Sequence, residues 1–268
     1  MKIVRFYGND DTVRRGVLEE GQETVARCIE GDIFSDHAVT EEVIPVKRLL
    51  APLEPRQIYA VGLNYRRHAE ETGAVLPERP EVFMKAVTSV VGSGENIVLP
   101  AAGPDEVDYE GELAIIIGRA ARNVTPEEAE NYIFGYCCAN DVSARDWQWR
   151  KQQGQWIRAK SFDTFCPLGP AITTVDEIPD ANGLRIETRL NGKTMQNSTT
   201  ADMLFTVFDI VSDLSRSVTL TPGTVILTGT PEGVGFSRKP PVFLAPGDEI
   251  SVQIQGLGIL TNTVVSEK

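Results

Sequence analysis

The stretch Asp105-Glu106-Val107-Asp108-Tyr109-Glu110-Gly111-Glu112-Leu113-Ala114-Ile115-Ile116-Ile117-Gly118 constrains the fold more than any other, because a run of acids passes without a break into an apolar strand. Side chains two apart in a strand share a face, so Glu110 and Glu112 are expected to stand side by side. Adjacent carboxylates repel each other and are costly to bury unless something neutralises them. A divalent cation such as Mg²⁺, which prefers oxygen ligands, is one remedy. The other arrangement open to these residues is an acidic hairpin whose glutamates face water. Asp105, Glu106 and Asp108 read as solvated loop charges.

Net charge narrows the partners. At −12 over 268 residues, with a pI near 4.8, the chain is a poor match for DNA or RNA. An anionic small substrate stays possible, since a metal and a few local cations can reverse the sign inside a pocket. Cys28, Cys137, Cys138 and Cys166 contain no C-x-x-C spacing and suggest neither a zinc knuckle nor a disulfide framework. The N-terminal MKIVRFYG lacks the apolar segment of a signal peptide, and no run approaches 18 apolar residues. A cytoplasmic protein with no membrane span is the expectation.

Along the chain, residues 1–50 read as a small β-rich module, with strands at 1–7 and 12–19 and polar turns at 8–11 and 20–22. Two prolines in residues 51–55 mark a boundary, giving a small N-terminal domain over 1–52 and a catalytic domain over 53–268. Residues 57–65 read as a buried strand ending at Gly62, followed by a helix over 66–72 with Gly73 as its C-cap. On that helix His68 and Glu71 are i,i+3 neighbours. A histidine oriented by a carboxylate suits a general base, while the alternative is a surface helix of mixed charge.

Further on, residues 81–89 read as a strand carrying Lys85, and Thr125-Pro126-Glu127-Glu128 as the start of a short helix. Residues 135–141 form an apolar strand ending at Asn140-Asp141. Arg145 and Gln148 lie i,i+3 and can face one cavity, and Trp147, Trp149 and Trp156 read as a local packing cluster. The loop 152–155 is polar. Lys160 is either a snorkelling lysine or the counter-charge to a carboxylate cluster. Asn191-Gly192 predicts a two-residue hairpin turn, and residues 200–213 a helix capped by Thr200. Residues 225–235 read as a strand entering a glycine-rich loop, and 249–254 as a further strand. The expected class is a β-dominated α+β fold.

Taken in order, G-L-N-Y-x-x-H-x-x-E, D-Y-E-G-E-L, N-D-V-S-A-R-D, A-K-S-F-D-T-F-C-P and G-T-P-E-G-V-G make a chain that resembles the fumarylacetoacetate hydrolase (FAH) family over roughly residues 50–268. The resemblance implies a mixed β-sandwich roll, a homodimer, and Mg²⁺ or Mn²⁺ held by Glu110, Glu112 and Asp141. It implies that His68 and Glu71 are a water-activating dyad on a lid-like segment and that Lys160 stands near the metal. Arg145, Gln148 and Thr230 would meet the substrate. Two positions depart from the family's pattern. Ala86-Val87 follow Lys85 where prolines are frequent, and Asn197, read as part of a helix before Asp202, stands where an aspartate is common.

The activity so implied is hydrolysis of the C–C bond in a β-diketo acid of the acylpyruvate or fumarylpyruvate type, through an enolate stabilised by the metal, Lys160 and Arg145. The same enolate serves a 2-hydroxymuconate-type isomerase or decarboxylase, such as one acting on 5-carboxymethyl-2-hydroxymuconate, and an oxaloacetate decarboxylase. A non-catalytic 2-oxo acid binding protein would keep the metal site without needing His68 and Glu71.

Overall fold

The computed structural model describes residues 1–19, 21–151 and 153–267. The N-terminal strands are β1 (Lys2–Tyr7), β2 (Val13–Glu19), β3 (Gln22–Gly31), β4 (His37–Pro45) and β5 (Arg48–Leu50). After them come β6 (Gln57–Gly62), helix α1 (Arg66–Thr72), β7 (Glu81–Lys85), β8 (Val90–Val91), β9 (Asn96–Leu99), β10 (Val107–Asp108) and β11 (Gly111–Ile117). The second half holds β12 (Ile133–Asn140), β13 (Ser143–Ala144), α2 (Trp156–Ala159), β14 (Cys166–Thr174), β15 (Arg185–Leu190) and β16 (Lys193–Thr199). The chain closes with α3 (Val207–Ser217), β17 (Thr224–Leu227), β18 (Glu249–Ile254) and β19 (Gly258–Ser266). Among the described residues, no helix is long and apolar enough to cross a membrane.

Two sheets face each other. The larger runs β4-β3-β2-β1-β14-β12-β11-β17-β6-β7, and the smaller runs β16-β15-β18-β19-β9. β11 lies between β12 and β17, and all seven of its residues are buried. Alternation divides them between two cores. Leu113, Ile115 and Ile117 pack with the small sheet and α3, while Ala114 and Ile116 pack with β1, β6 and β14 on the other face. The β-dominated α+β sandwich roll expected from the sequence is what the chain forms. Residues 1–52 are not set apart from the large sheet, because β1 pairs antiparallel with β14.

The register of two short ladders decides where the acids go. Gly111 pairs with Asn140 in β11–β12, and Asp108 pairs with Ser143 in β10–β13. Between them, the Asp141 N–H donates to the Glu110 carbonyl at 2.8 Å. Residues 108–112 and 139–143 therefore run side by side, which brings Asp141 against Glu110 and Glu112.

A parallel pair sets the opposite wall. β6 and β17 run in the same direction, so the turn into α1 and the loop after Leu227 leave the sheet at one end. Gly229 takes φ of 91°, and a Cβ there would press on Asn64 and the Val61 carbonyl. Asn64 is fully buried. Its Nδ2 donates to the Thr228 and Phe205 carbonyls at 2.8 and 3.1 Å, and its Oδ1 accepts the Phe205 N–H at 2.9 Å.

That clamp explains a correction. The helix expected from Thr200 begins six residues later. Residues Thr200–Asp202 form only a 3₁₀ turn, and α3 is capped by Thr206 in a capping box with Asp209. Asn64 ties down 204–205 through its carbonyl and its side chain, and the Thr200 hydroxyl is taken by the Leu184 N–H and the Ala181 carbonyl. Segment 196–198, read as helical, lies in strand β16. The helix expected from Thr125 forms as a turn and one 3₁₀ stretch, Ala129–Tyr132, because β12 starts at Ile133. The strand through 89 stops at Lys85 and passes into a 3₁₀ turn at Val87–Ser89. Gly73 closes α1 in the left-handed region, and Asn191 and Gly192 both take positive φ, as expected. Glu20 of the expected turn and Gln152 of the expected loop lie outside the described residues.

Replacing Asn64 by alanine strips partners from three backbone groups at this junction. The Asn64→Ala variant is expected to lose about 2–3 kcal/mol of stability. The loss would be read in urea unfolding as a lower midpoint at constant slope.

Candidate active site

Glu110, Glu112 and Asp141 are all buried, and one carboxylate oxygen from each lies within 4.8 Å of the others. Cations surround two of the three. Lys160 Nζ donates to Glu110 Oε2 at 2.9 Å, to Asp141 Oδ2 at 2.7 Å and to Ser143 Oγ at 2.7 Å. Lys85 Nζ donates to Asp141 Oδ1 and to the Lys160 carbonyl. Arg145 Nη2 lies 2.7 Å from Glu110 Oε1 and 2.8 Å from Asp108 Oδ2.

Glu112 differs from the other two. Its Oε2 accepts the Gly229 N–H at 2.7 Å, and among the described residues no cation lies within ion-pair distance of it. Burial, then the charges of Asp141 and Glu110, push its carboxyl well above the usual range. Burial also works to raise Glu110, but Lys160 and Arg145 outweigh it and hold that carboxyl at about 2. Three hard oxygen donors around one charge-deficient point fit a divalent cation of the Mg²⁺ or Mn²⁺ type. Glu110, Glu112 and Asp141 are the residues that would hold it.

His68 sits on the opposite wall. His68 Nδ1 lies 3.0 Å from Glu71 Oε2, so the carboxylate fixes the proton on Nδ1 and leaves Nε2 as the basic nitrogen. Glu71 is itself anchored, because its Oε1 accepts the Gly233 N–H at 3.0 Å and the Ser237 hydroxyl at 2.7 Å. Burial would raise the Glu71 carboxyl, but the bonds from His68, Ser237 and Gly233 bring it below its ordinary value. Arg67 adds a second anchor for α1. Its N–H donates to Asp202 at 3.0 Å and its guanidinium to Glu232 at 3.2 Å.

Between floor and base lies a cavity of about 500 Å³. His68, Glu110, Arg145, Gln148, Lys160 and Thr230 line it, with Phe83, Trp149, Trp156 and Phe236 as aromatic walls. Eight of the nine residues singled out from the sequence are thus on the cavity or its carboxylate floor, and the ninth, Glu71, stands behind His68. Gln148 Oε1 accepts from Arg145 Nη1 at 2.9 Å. The Thr230 hydroxyl donates to the Gly111 carbonyl at 2.9 Å and accepts from Gln196 at 2.8 Å, so its proton is already committed to the protein.

Some expectations need correcting. Asp108 is not a solvated charge. It is fully buried and paired with Arg145, whereas Asp105 is exposed and Glu106 pairs with Arg150 near the surface. The tryptophans do not cluster. Trp147, Trp149 and Trp156 pack edge-on against Phe162, Phe236 and Phe83 respectively, and two of them wall the cavity. Lys85, which the sequence places only in a strand, is buried and paired with Asp141. Its signal is parity, since Phe83 and Lys85 share the buried face of β7 while Val82 and Met84 are exposed. Parity also marks Asp108, which is two residues before Glu110 and four before Glu112.

A roll-like sandwich whose three buried carboxylates face a histidine–glutamate pair across one cavity is the arrangement of an enzyme site, and those acids could hold a metal ion. The chain belongs to the fumarylacetoacetate hydrolase family. The family model described as fumarylacetoacetate (FAA) hydrolase C-terminal matches residues 57–265, and one described as Rv2993c-like, N-terminal, matches residues 1–52. Oxaloacetate tautomerase fahd2, mitochondrial, of Xenopus laevis is 47% identical over 252 residues, covering 94% of this chain and 78% of that one. Two solved structures align over the whole of both chains at 40% identity. They are 5-carboxymethyl-2-hydroxymuconate delta-isomerase from Mycobacterium smegmatis, with a TM-score of 0.87, and fumarylacetoacetate hydrolase from psychrophilic Exiguobacterium antarcticum, with 0.88.

The unpaired position of Glu112 yields a test of the floor. Glu112→Gln orphans no lysine, so metal-free stability is expected to hold or rise by up to about 1 kcal/mol. Mg²⁺ affinity, measured by calorimetry, is expected to fall about 100-fold. Lower metal-free stability with unchanged Mg²⁺ affinity would make Glu112 a structural carboxylate instead.

Proposed function

We propose that this chain is a divalent-metal-dependent enzyme that enolises small 2-oxo acids, acting as a tautomerase or isomerase on substrates of the oxaloacetate type. The observation that carries this reading is the His68–Glu71 pair, held by 233–237 across one cavity from the carboxylates Glu110, Glu112 and Asp141. The names of the Xenopus laevis and Mycobacterium smegmatis relatives, a tautomerase and an isomerase, support the same class.

Bound Mg²⁺ or Mn²⁺ supplies Lewis-acid stabilisation for negative charge developing on a substrate oxygen. The chain's own residues do the rest. Arg145 and Lys160, the two cations on the cavity wall, attract the 2-oxo acid and oppose the charge that builds up on the former keto oxygen. His68 Nε2 takes a proton from the carbon next to the ketone, and the C–H electron pair becomes the C=C bond of the enolate. Return of that proton to oxygen gives the enol, and its return to a different carbon gives the isomer. Glu71 keeps the ring in one tautomer throughout and offsets the charge of the imidazolium. Phe83, Trp149, Trp156 and Phe236 limit water around the intermediate.

Hydrolysis of a β-diketo acid is the second reading, favoured by the similarity to the Exiguobacterium antarcticum hydrolase. There His68 would deprotonate water for attack on the distal carbonyl. The C–C bond would break to release a carboxylic acid and the enolate of a 2-oxo acid, which is then protonated. A binding protein would have no use for a base oriented through two further hydrogen bonds.

Nuclear magnetic resonance of oxaloacetate, muconate-type diacids and acylpyruvates, with Mg²⁺ and with chelator, separates proton exchange and isomerisation from C–C cleavage. His68→Ala is expected to slow the enol-to-keto conversion of oxaloacetate about 10²–10⁴-fold, with Mg²⁺ affinity unchanged. Wild-type rates in that variant would remove His68 from the mechanism.

A further inference from the structure

Asp108 does not line the cavity, yet its carboxylate holds parts of both walls. On one side, Arg145 Nε donates to Asp108 Oδ2 at 2.9 Å, and Nη2 lies 2.8 Å from the same oxygen. On the other, the Gly235 N–H donates to Oδ1 at 2.8 Å and the Phe236 N–H to Oδ2 at 3.1 Å. The Tyr109 N–H completes the set at 2.8 Å. A Cβ on Gly235 would collide with the Val242 carbonyl and with Asp108 itself, so the loop reaches this carboxylate only as glycine.

The same loop braces the base from outside its helix. Gly233 and Ser237, on either side of the two residues that Asp108 grips, hold Glu71, and Glu71 holds His68. Phe236 ties the group further, with its ring centroid 4.5 Å from the Arg145 guanidinium carbon. A continuous path of bonded groups therefore runs from Arg145 through Asp108 and loop 233–237 to Glu71 and His68.

We propose that Asp108 is a positioning residue that sets the Arg145 anchor and the His68–Glu71 base together, through the backbone of 233–237. One buried carboxylate then decides both where the substrate's anionic end is held and whether the base stands at the right height above it. An anion seated on Arg145 steadies the loop, and the loop steadies helix Arg66–Thr72. The inference rests on the reading that Arg145 meets the substrate and His68 is the base. It differs from a counter-ion role, in which Asp108 would serve Arg145 alone.

The test is a mutant cycle on the full chain with Mg²⁺, using oxaloacetate enol-to-keto conversion. Asp108→Asn is expected to raise KM about tenfold and lower kcat about tenfold. In a Glu71→Gln background the same change is expected to lower kcat by less than about twofold, because the path ends at Glu71. Equal kcat losses in the two backgrounds overturn the proposal. Hydrogen exchange decides independently of turnover. Amides of residues 66–72 are expected to exchange about tenfold faster in Asp108→Asn, and oxalate, a small dianion used as probe, is expected to protect them in the wild type. Unchanged exchange there in both comparisons overturns the coupling. Should Asp108→Asn fail to fold, Ser237→Ala leaves Asp108 and Arg145 in place. It is expected to lower kcat at constant KM and to speed exchange at 66–72, and wild-type behaviour in both overturns the link. No turnover of any 2-oxo acid by the wild type, or wild-type turnover by Glu71→Gln, would remove the functional reading instead. The exchange measurements would still decide whether Asp108 holds the helix.

Discussion

At the mouth of β11 four buried carboxylates, Asp108, Glu110, Glu112 and Asp141, meet three buried cations, Lys85, Arg145 and Lys160. With every group ionised, four negative charges against three positive leave an excess of one. Burying ions is costly and is tolerated only when each is held by good geometry. Much of the fold supplies that geometry. β11 is central in the large sheet, its neighbour β12 delivers Asp141, the edge strand β7 delivers Lys85, and the turn after α2 delivers Lys160. The uncompensated carboxylate is Glu112, the acid that faces backbone instead of a lysine.

What could be read in advance follows from the range of the interactions involved. The pairing of Glu110 with Glu112 is a property of one strand, and alternation alone is enough for it. Asp141 could be joined to them only through the family's motifs, because nothing in the spacing states that Gly111 will pair with Asn140. Asp108 has acidic neighbours that suggest a solvated loop, but it shares the parity of the two glutamates and is buried with them. The late start of α3 was hidden because its cause, Asn64, acts from 141 residues away on Phe205. The tryptophans were grouped by proximity in sequence, but the π turn Trp147–Lys151 and the short α2 aim them at three different phenylalanines.

The relatives' names span a tautomerase, an isomerase and a hydrolase on one architecture. The enolate of a 2-oxo acid is common to all three chemistries, so a shared floor and base are compatible with each. Differences in outcome must then arise where substrates differ, at the far end of the cavity. Besides the residues already named, the cavity is lined by Leu63, Ala74, Val75 and Glu81, the last three exposed.

The helix carrying His68 has only seven residues, and a helix that short has almost no stability of its own in water. Its order is borrowed from the loop it leans on, through Glu71 with Gly233 and Ser237 and through Arg67 with Glu232. Loop residues Glu232, Gly233 and Ser237 therefore do more to keep His68 in place than the short helix does by itself. Adaptation of such a protein to cold or heat through that loop would have to spare Gly229, Gly235 and Phe236, whose N–H groups hold the buried Glu112 and Asp108.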